Sequence, residues 1–111
     1  MKQTPTSRRV NEELREKIAN VLLFQIADPR LELVTVTDVE VSKDREVANV
    51  YVSAEASRYD EVMEGLEAAK GRIRSLVGKS LGWRVTPELR FFIDPSVDAA
   101  ERIASLFSDE D

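Results

Sequence analysis

The sequence predicts a single α+β domain, and three patterns carry that expectation. Apolar residues recur at three-and-four spacing through residues 7–27, two runs within residues 34–54 are β-branched or strictly alternating, and a long second helical stretch precedes another alternating run at residues 89–93. Helices and strands mixed in this order, in a chain of 111 residues, leave room for one hydrophobic core.

Val10, Leu14, Ile18, Val21, Leu22 and Ile26 mark the buried stripe of the first helix, with Arg15, Glu16 and Asn20 on other faces. Ser7 is its expected N-cap. Pro29 is its stop, because proline disfavours helical geometry in the residue before it, so the helix is expected over about residues 7–27. Residues 34–41 and 47–54 read as strands, and the polar link from Ser42 to Glu46 is short enough for a hairpin that pairs them antiparallel. The valines of the first strand change parity at Asp38, which predicts a β-bulge or a strand whose halves bury opposite faces. Ser57 with Asp60 resembles a capping box opening a helix that carries Val62, Met63, Leu66 and Ala69. Gly71 is expected to interrupt it. A third helix then carries Ile73, Leu76, Val77 and Leu81 and ends at Gly82. After the strand at residues 89–93, Val97, Ala100, Ile103, Ala104 and Phe107 suggest a short final helix. The expected domain covers residues 1–107, followed by an acidic tail at residues 108–111.

The composition excludes much chemistry. With no Cys and no His, the chain has no disulfide, thiolate ligand or Cys nucleophile, and it lacks the commonest general base and metal ligand. Asp38, Glu40 and Asp44 are the remaining metal-ligand candidates, yet on an alternating strand they read better as edge charges that deter aggregation. No metal and no cofactor are expected. No apolar run nears the roughly 20 residues that cross a bilayer, and the polar start Met1-Lys2-Gln3-Thr4-Pro5 is unlike a signal peptide, so a cytoplasmic location is expected.

The net charge of -5 is unevenly distributed. Residues 70–90 hold six basic side chains (Lys70, Arg72, Arg74, Lys79, Arg84, Arg90) against Glu88 alone, while the remainder holds ten basic and twenty acidic residues. One basic segment on an acidic body suits a face that meets phosphate and another that repels nonspecific nucleic acid.

The order helix, strand, strand, helix, helix, strand, with glycine at the junction of the paired helices, resembles a type II KH domain, a nucleic-acid-binding fold. KH domains place a GXXG loop at that junction, where glycine lets phosphate approach and a helix start offers free N–H donors. This chain has Ala69-Lys70-Gly71 there instead. In this topology such a junction resembles the ribosome-binding factor A family. The likeness extends through Ser7-Arg8-Arg9-Val10, Asp28-Pro29-Arg30-Leu31, Val34 to Ser42, Arg74 to Lys79, Arg84, Pro87 to Phe91, Asp94 with Ser96, and Arg102-Ile103 with Leu106. It departs at Glu32, usually glycine, and at Trp83, usually a smaller aliphatic residue.

The resemblance implies a KH-like fold with a kinked helix pair (Ala69, Gly71). It implies a factor that binds the free small ribosomal subunit and its ribosomal RNA, supports late maturation including 5′-end processing, serves especially in the cold, and catalyses nothing itself. Implied partners are the subunit and its RNA, with ribosomal proteins and an assembly GTPase as further candidates; no membrane partner is expected, and a monomer is the expectation for a domain of this size without an obvious extra apolar face. The expected RNA-contacting residues are Arg8, Arg9, Lys70, Gly71, Arg72, Arg74, Lys79 and Arg84, set against their reading as a solvated surface or, for Gly71, a helix terminator. Trp83 beside Arg84 reads either as a base-stacking group or as packing against the sheet. Asp28-Pro29-Arg30 reads as a helix stop whose arginine pairs locally. Tyr51 and Phe92 fall on the polar side of their strands and do not by themselves suggest a stacking platform.

Overall fold

The structure of the protein, a computed structural model, describes residues 5–94. Helix α1 spans Pro5–Phe24 and a short 3-10 turn spans Pro29–Leu31. Strands β1 (Thr35–Val41) and β2 (Val47–Ser53) follow, then a second 3-10 turn (Ala56–Arg58), helix α2 (Tyr59–Leu81) and strand β3 (Glu88–Ile93). The final helix and acidic tail expected beyond Asp94 lie outside the described residues.

The sheet order is β1-β2-β3, with β2 central, antiparallel to β1 and parallel to β3. Both helices pack on one face, where Leu14, Ile18, Leu66, Ile73, Val50 and Leu89 have no solvent exposure. The parity change at Asp38 is a bulge: the register slips between Val36 and Asp38, leaving Thr37 extra, so that Val36 and Val39 both face the core. The hairpin pairing is as expected.

The helix boundaries differ from expectation. Helix α1 starts before Ser7, which is therefore inside it rather than its cap, and stops at Phe24, short of the limit set by Pro29. Helix α2 begins at Tyr59 without a side-chain cap, since the 3-10 turn occupies the position where Ser57 was expected to cap. Most importantly, α2 runs unbroken through Gly71, and the two helices expected there are one 23-residue element. An interior glycine costs only about 1 kcal/mol relative to alanine, while Leu66, Ile73 and Val77 on either side are fully buried. At about 25 cal/mol per Å² of apolar surface, such anchors outweigh that cost several-fold.

Two other glycines have definite work. Gly82 ends α2 at φ 70, a left-handed position open to glycine. Gly65 lets the Pro29–Leu31 turn lie on α2, since a Cβ there would stand 3.0 Å from both the Arg30 Cβ and a Leu31 methyl. That turn is built from its own sequence. Asp28 accepts from the Arg30 backbone N–H (2.9 Å) and, through both carboxylate oxygens, from the Arg30 guanidinium (2.8–3.3 Å). The local pairing expected of Asp28-Pro29-Arg30 is present. Arg58 closes the turn from the far side, donating to the carbonyls of Glu32 (2.7 Å), Arg30 (3.1 Å) and Pro29 (3.3 Å).

Candidate nucleic-acid interface

The start of α1, the β1–β2 hairpin and the end of α2 meet at one end of the molecule, with Trp83 at their centre. The indole N–H of Trp83 donates to a Glu13 carboxylate oxygen at 3.1 Å, joining the α2–β3 connection to α1. Asn11, nearly buried, accepts the Val41 backbone N–H at 2.9 Å and joins α1 to the end of β1. The Arg45 guanidinium lies over the Trp83 ring, 4.9 Å from its centroid.

Arg45 reaches that place from a left-handed backbone position, φ 58, inside a turn tied by Ser42 and Asp44. Its backbone N–H donates to the Ser42 carbonyl at 2.9 Å. A non-glycine residue in that conformation costs about 1 kcal/mol. The hydroxyl of Ser42 and the backbone N–H of Glu46 both donate to the Asp44 carboxylate, holding it below its usual range. Asp44 is thus a turn-forming group. Among the described residues no group of three or more His, Cys, Asp or Glu side chains is placed to hold a metal ion.

The seven cationic residues expected from the sequence divide into three groups. Arg8 and Arg9 are exposed, one turn before Glu12 and Glu13 on α1, and Lys79 and Arg84 are exposed on either side of the Gly82 cap. These four share the Trp83 end with Arg45. Lys70 and Arg72 stand farther up α2, about 14 and 10 Å from Lys79 at 1.5 Å per residue. Lys70 pairs with Glu67 at 3.3 Å, a surface contact worth little, while Arg72 is exposed. Arg74 differs from both groups: its guanidinium donates to the backbone carbonyls of Thr86 (2.8 Å) and Pro87 (3.1 Å). It seats the chain entering β3 and is a structural clamp.

Gly71 is exposed, and a Cβ there would meet nothing within 4 Å, so a phosphate has room to approach. The free N–H donors expected of a helix start are nevertheless missing at this junction, because within a continuous helix those groups bond to carbonyls four residues earlier. Ala69 is half-buried against the core.

Sequence reasoning missed Arg45. The only signal was a basic residue in a hairpin loop, and its partner is a tryptophan nearly forty positions later. Of the two readings of Trp83, the structure shows packing against the core, while the ring face over which Arg45 lies is taken by a guanidinium.

Elsewhere an apolar cleft lies between the end of α1 and the start of β1, where Leu23, Phe24 and Leu33 are exposed. Its carboxylate Asp28 is held below its usual range by hydrogen bonds from Arg30, so it is a committed acceptor and not a proton-transfer group. No helix among the described residues is long and apolar enough to cross a membrane.

Comparison with known proteins agrees with this architecture. The model of the ribosome-binding factor A family matches residues 6–107. A ribosome-binding factor A of Caldanaerobacter subterraneus subsp. tengcongensis is 39% identical over 106 residues, covering 93% of this chain and 87% of the relative. The crystal structure of ribosome-binding factor A from Thermus thermophilus superposes with a TM-score of 0.71 at 29% identity, covering 78% of this chain and 94% of that one. A homology model of the Thermus thermophilus factor, as fitted into the cryo-EM map of a 30S–RbfA complex, gives a TM-score of 0.55 at 28% identity, covering 82% of this chain and 93% of that one. The mixed α+β, KH-like fold is the fold of those structures, and this chain belongs to the ribosome-binding factor A family.

Proposed function

We propose that this chain binds the free small ribosomal subunit by laying its Trp83 end on ribosomal RNA, with Arg8, Arg9, Arg45, Lys79 and Arg84 meeting phosphates and Arg72 extending the contact along α2. The observation that carries this reading is the convergence of cations from α1, the hairpin and α2 around one ring on a chain of net charge -5. The fitted 30S–RbfA complex of the Thermus thermophilus relative supports the choice of partner. On this reading the chain holds RNA in a conformation that favours late maturation, including 5′-end processing, and is needed most in the cold. It works as a cytoplasmic monomer without cofactor or catalysis, as one domain over residues 1–107 with an acidic tail. Ribosomal proteins and an assembly GTPase are its further expected partners.

The test is co-sedimentation of the full chain with isolated small subunits across a salt series. Replacing Arg72, Lys79 and Arg84 together by Ala removes three phosphate contacts, and at about 0.7–0.9 per contact the slope of log affinity against log salt falls by about 2–3. An unchanged slope refutes the interface. Incubating precursor ribosomal RNA with the protein and magnesium yields no cleavage; cleavage would make the chain an enzyme.

A further inference from the structure

The face of the sheet opposite the helices carries a second kind of surface. Among the described residues no element packs on it, since α1 and α2 both cover the other side. Alternation along the strands places Asp38 and Glu40 of β1, Asn49 and Tyr51 of β2, and Arg90 and Phe92 of β3 on this face. Tyr51 and Phe92 are direct register partners, and the structure joins them into the aromatic pair that strand patterns did not suggest. Their ring centroids are 5.6 Å apart, tilted by 30°, and Phe92 is 43% exposed.

The pair sits among carboxylates. Asp38 is the register partner of Tyr51, Glu40 is that of Asn49, Glu88 lies at the start of β3, and Asp94 follows its end. The guanidinium on this face, Arg90, is already held by Glu88 at 2.9 Å. Asp94 accepts the Thr37 hydroxyl at 2.6 Å. The Tyr51 hydroxyl is pushed above its ordinary range by burial first and then by the charges of Glu40 and Asp38.

Open aromatic faces on a sheet are also how some domains stack unpaired bases. Here the surrounding charge has the wrong sign, because each phosphate joining a stacked base would face carboxylates. A guanidinium or ammonium meets both attractive elements at once: the negative face of the ring and a neighbouring carboxylate. We propose that this sheet face, centred on Tyr51 and Phe92 with Asp38 and Glu40, docks an arginine- and lysine-rich protein segment. The two ends of the charge distribution then have separate tasks, one toward RNA and the other toward a basic polypeptide.

The test titrates the full chain into a fluorescein-labelled peptide of alternating Arg and Ser, read by anisotropy, with far-UV circular dichroism confirming the fold of each variant. Phe92→Ser, and separately Asp38→Asn with Glu40→Gln, weaken binding by about tenfold, and Phe92→Tyr retains it. Glu16→Gln with Glu64→Gln removes the same two charges from other faces and changes binding less than about twofold. Equal weakening by both charge pairs would reduce the contact to nonspecific attraction and overturn the proposal, as would full binding by Phe92→Ser. A single-stranded oligouridylate that binds the chain and is lost in Phe92→Ser would also overturn it, in favour of base stacking. Lys79→Ala with Arg84→Ala, at the proposed RNA-facing end, should leave peptide binding unchanged, and weakened binding there would overturn the proposal.

Discussion

Replacing Gly71 by alanine separates a continuous α2 from a broken one. Gly71 lies in the interior of the helix, its φ is not among the positive values, and a Cβ would meet no neighbour within 4 Å. Nothing in the folded state opposes the methyl group. Alanine then gains about 0.8–1.0 kcal/mol of helix propensity, much of it through lower entropy of the unfolded chain. For a domain near 100 residues that raises Tm by about 4–8 °C. Urea unfolding followed by helix ellipticity and by the fluorescence of Trp83, the one tryptophan of the chain, should move to higher midpoint with unchanged slope. Gly82→Ala is the control, because the left-handed φ of 70 makes alanine cost about 1 kcal/mol or more. Subunit binding by Gly71→Ala should be retained, since the backbone N–H at position 71 is used within the helix. A lower or unchanged midpoint for Gly71→Ala would refute the unbroken helix.

Three further outcomes rest on single side chains. Arg74→Ala frees the Thr86 and Pro87 carbonyls and should cost about 1 kcal/mol in thermal unfolding, whereas Arg72→Ala should leave Tm unchanged; equal effects would contradict the clamp assigned to Arg74. Arg58→Ala leaves three loop carbonyls without their charged donor and should cost about 2 kcal/mol, with faster amide exchange at residues 29–33. The folded Asp28 carboxyl is held below its usual value of 3.8, so its stabilisation is complete above that pH and is lost as the pH falls through the depressed value. The stability gap between the native chain and Asp28→Asn should be full at pH 6 and shrink below pH 3.8; a pH-independent gap would show that the carboxylate charge is not what matters.

Much of this fold is legible where local chemistry and burial agree. The β-branched run with its parity slip at Asp38 specifies a strand, a core face and a bulge, and Asp28-Pro29-Arg30 specifies a turn that supplies its own acceptor and donor. Legibility fails where packing outweighs propensity. Gly71 reads as a break until Leu66, Ile73 and Val77 are seen buried on one continuous face. It also fails for long side chains that reach across the sequence. Arg74 reads as a surface cation like Arg72, and nothing local shows that Thr86 and Pro87 carbonyls wait twelve and thirteen residues ahead. Arg45 and Trp83, and likewise Tyr51 and Phe92, become pairs only once the sheet and helices set their register.

The parallel pairing of β2 with β3 bears on how the protein is made. Antiparallel β1 and β2 close through a five-residue loop, so that half of the sheet forms from local contacts. Strand β3 reaches β2 only across residues 54–87, so its pairing is a non-local closure, slower to form than the hairpin. During synthesis the edge of β2 is therefore bare until β3 emerges, a template for misassembly while it lasts. Because Lys79 lies on α2 and Arg84 on the connection that leads into β3, a chain made only as far as β2 carries, of the proposed contacts, Arg8, Arg9 and Arg45 alone, and the proposed RNA-facing end is assembled only when α2 and β3 fold onto the hairpin.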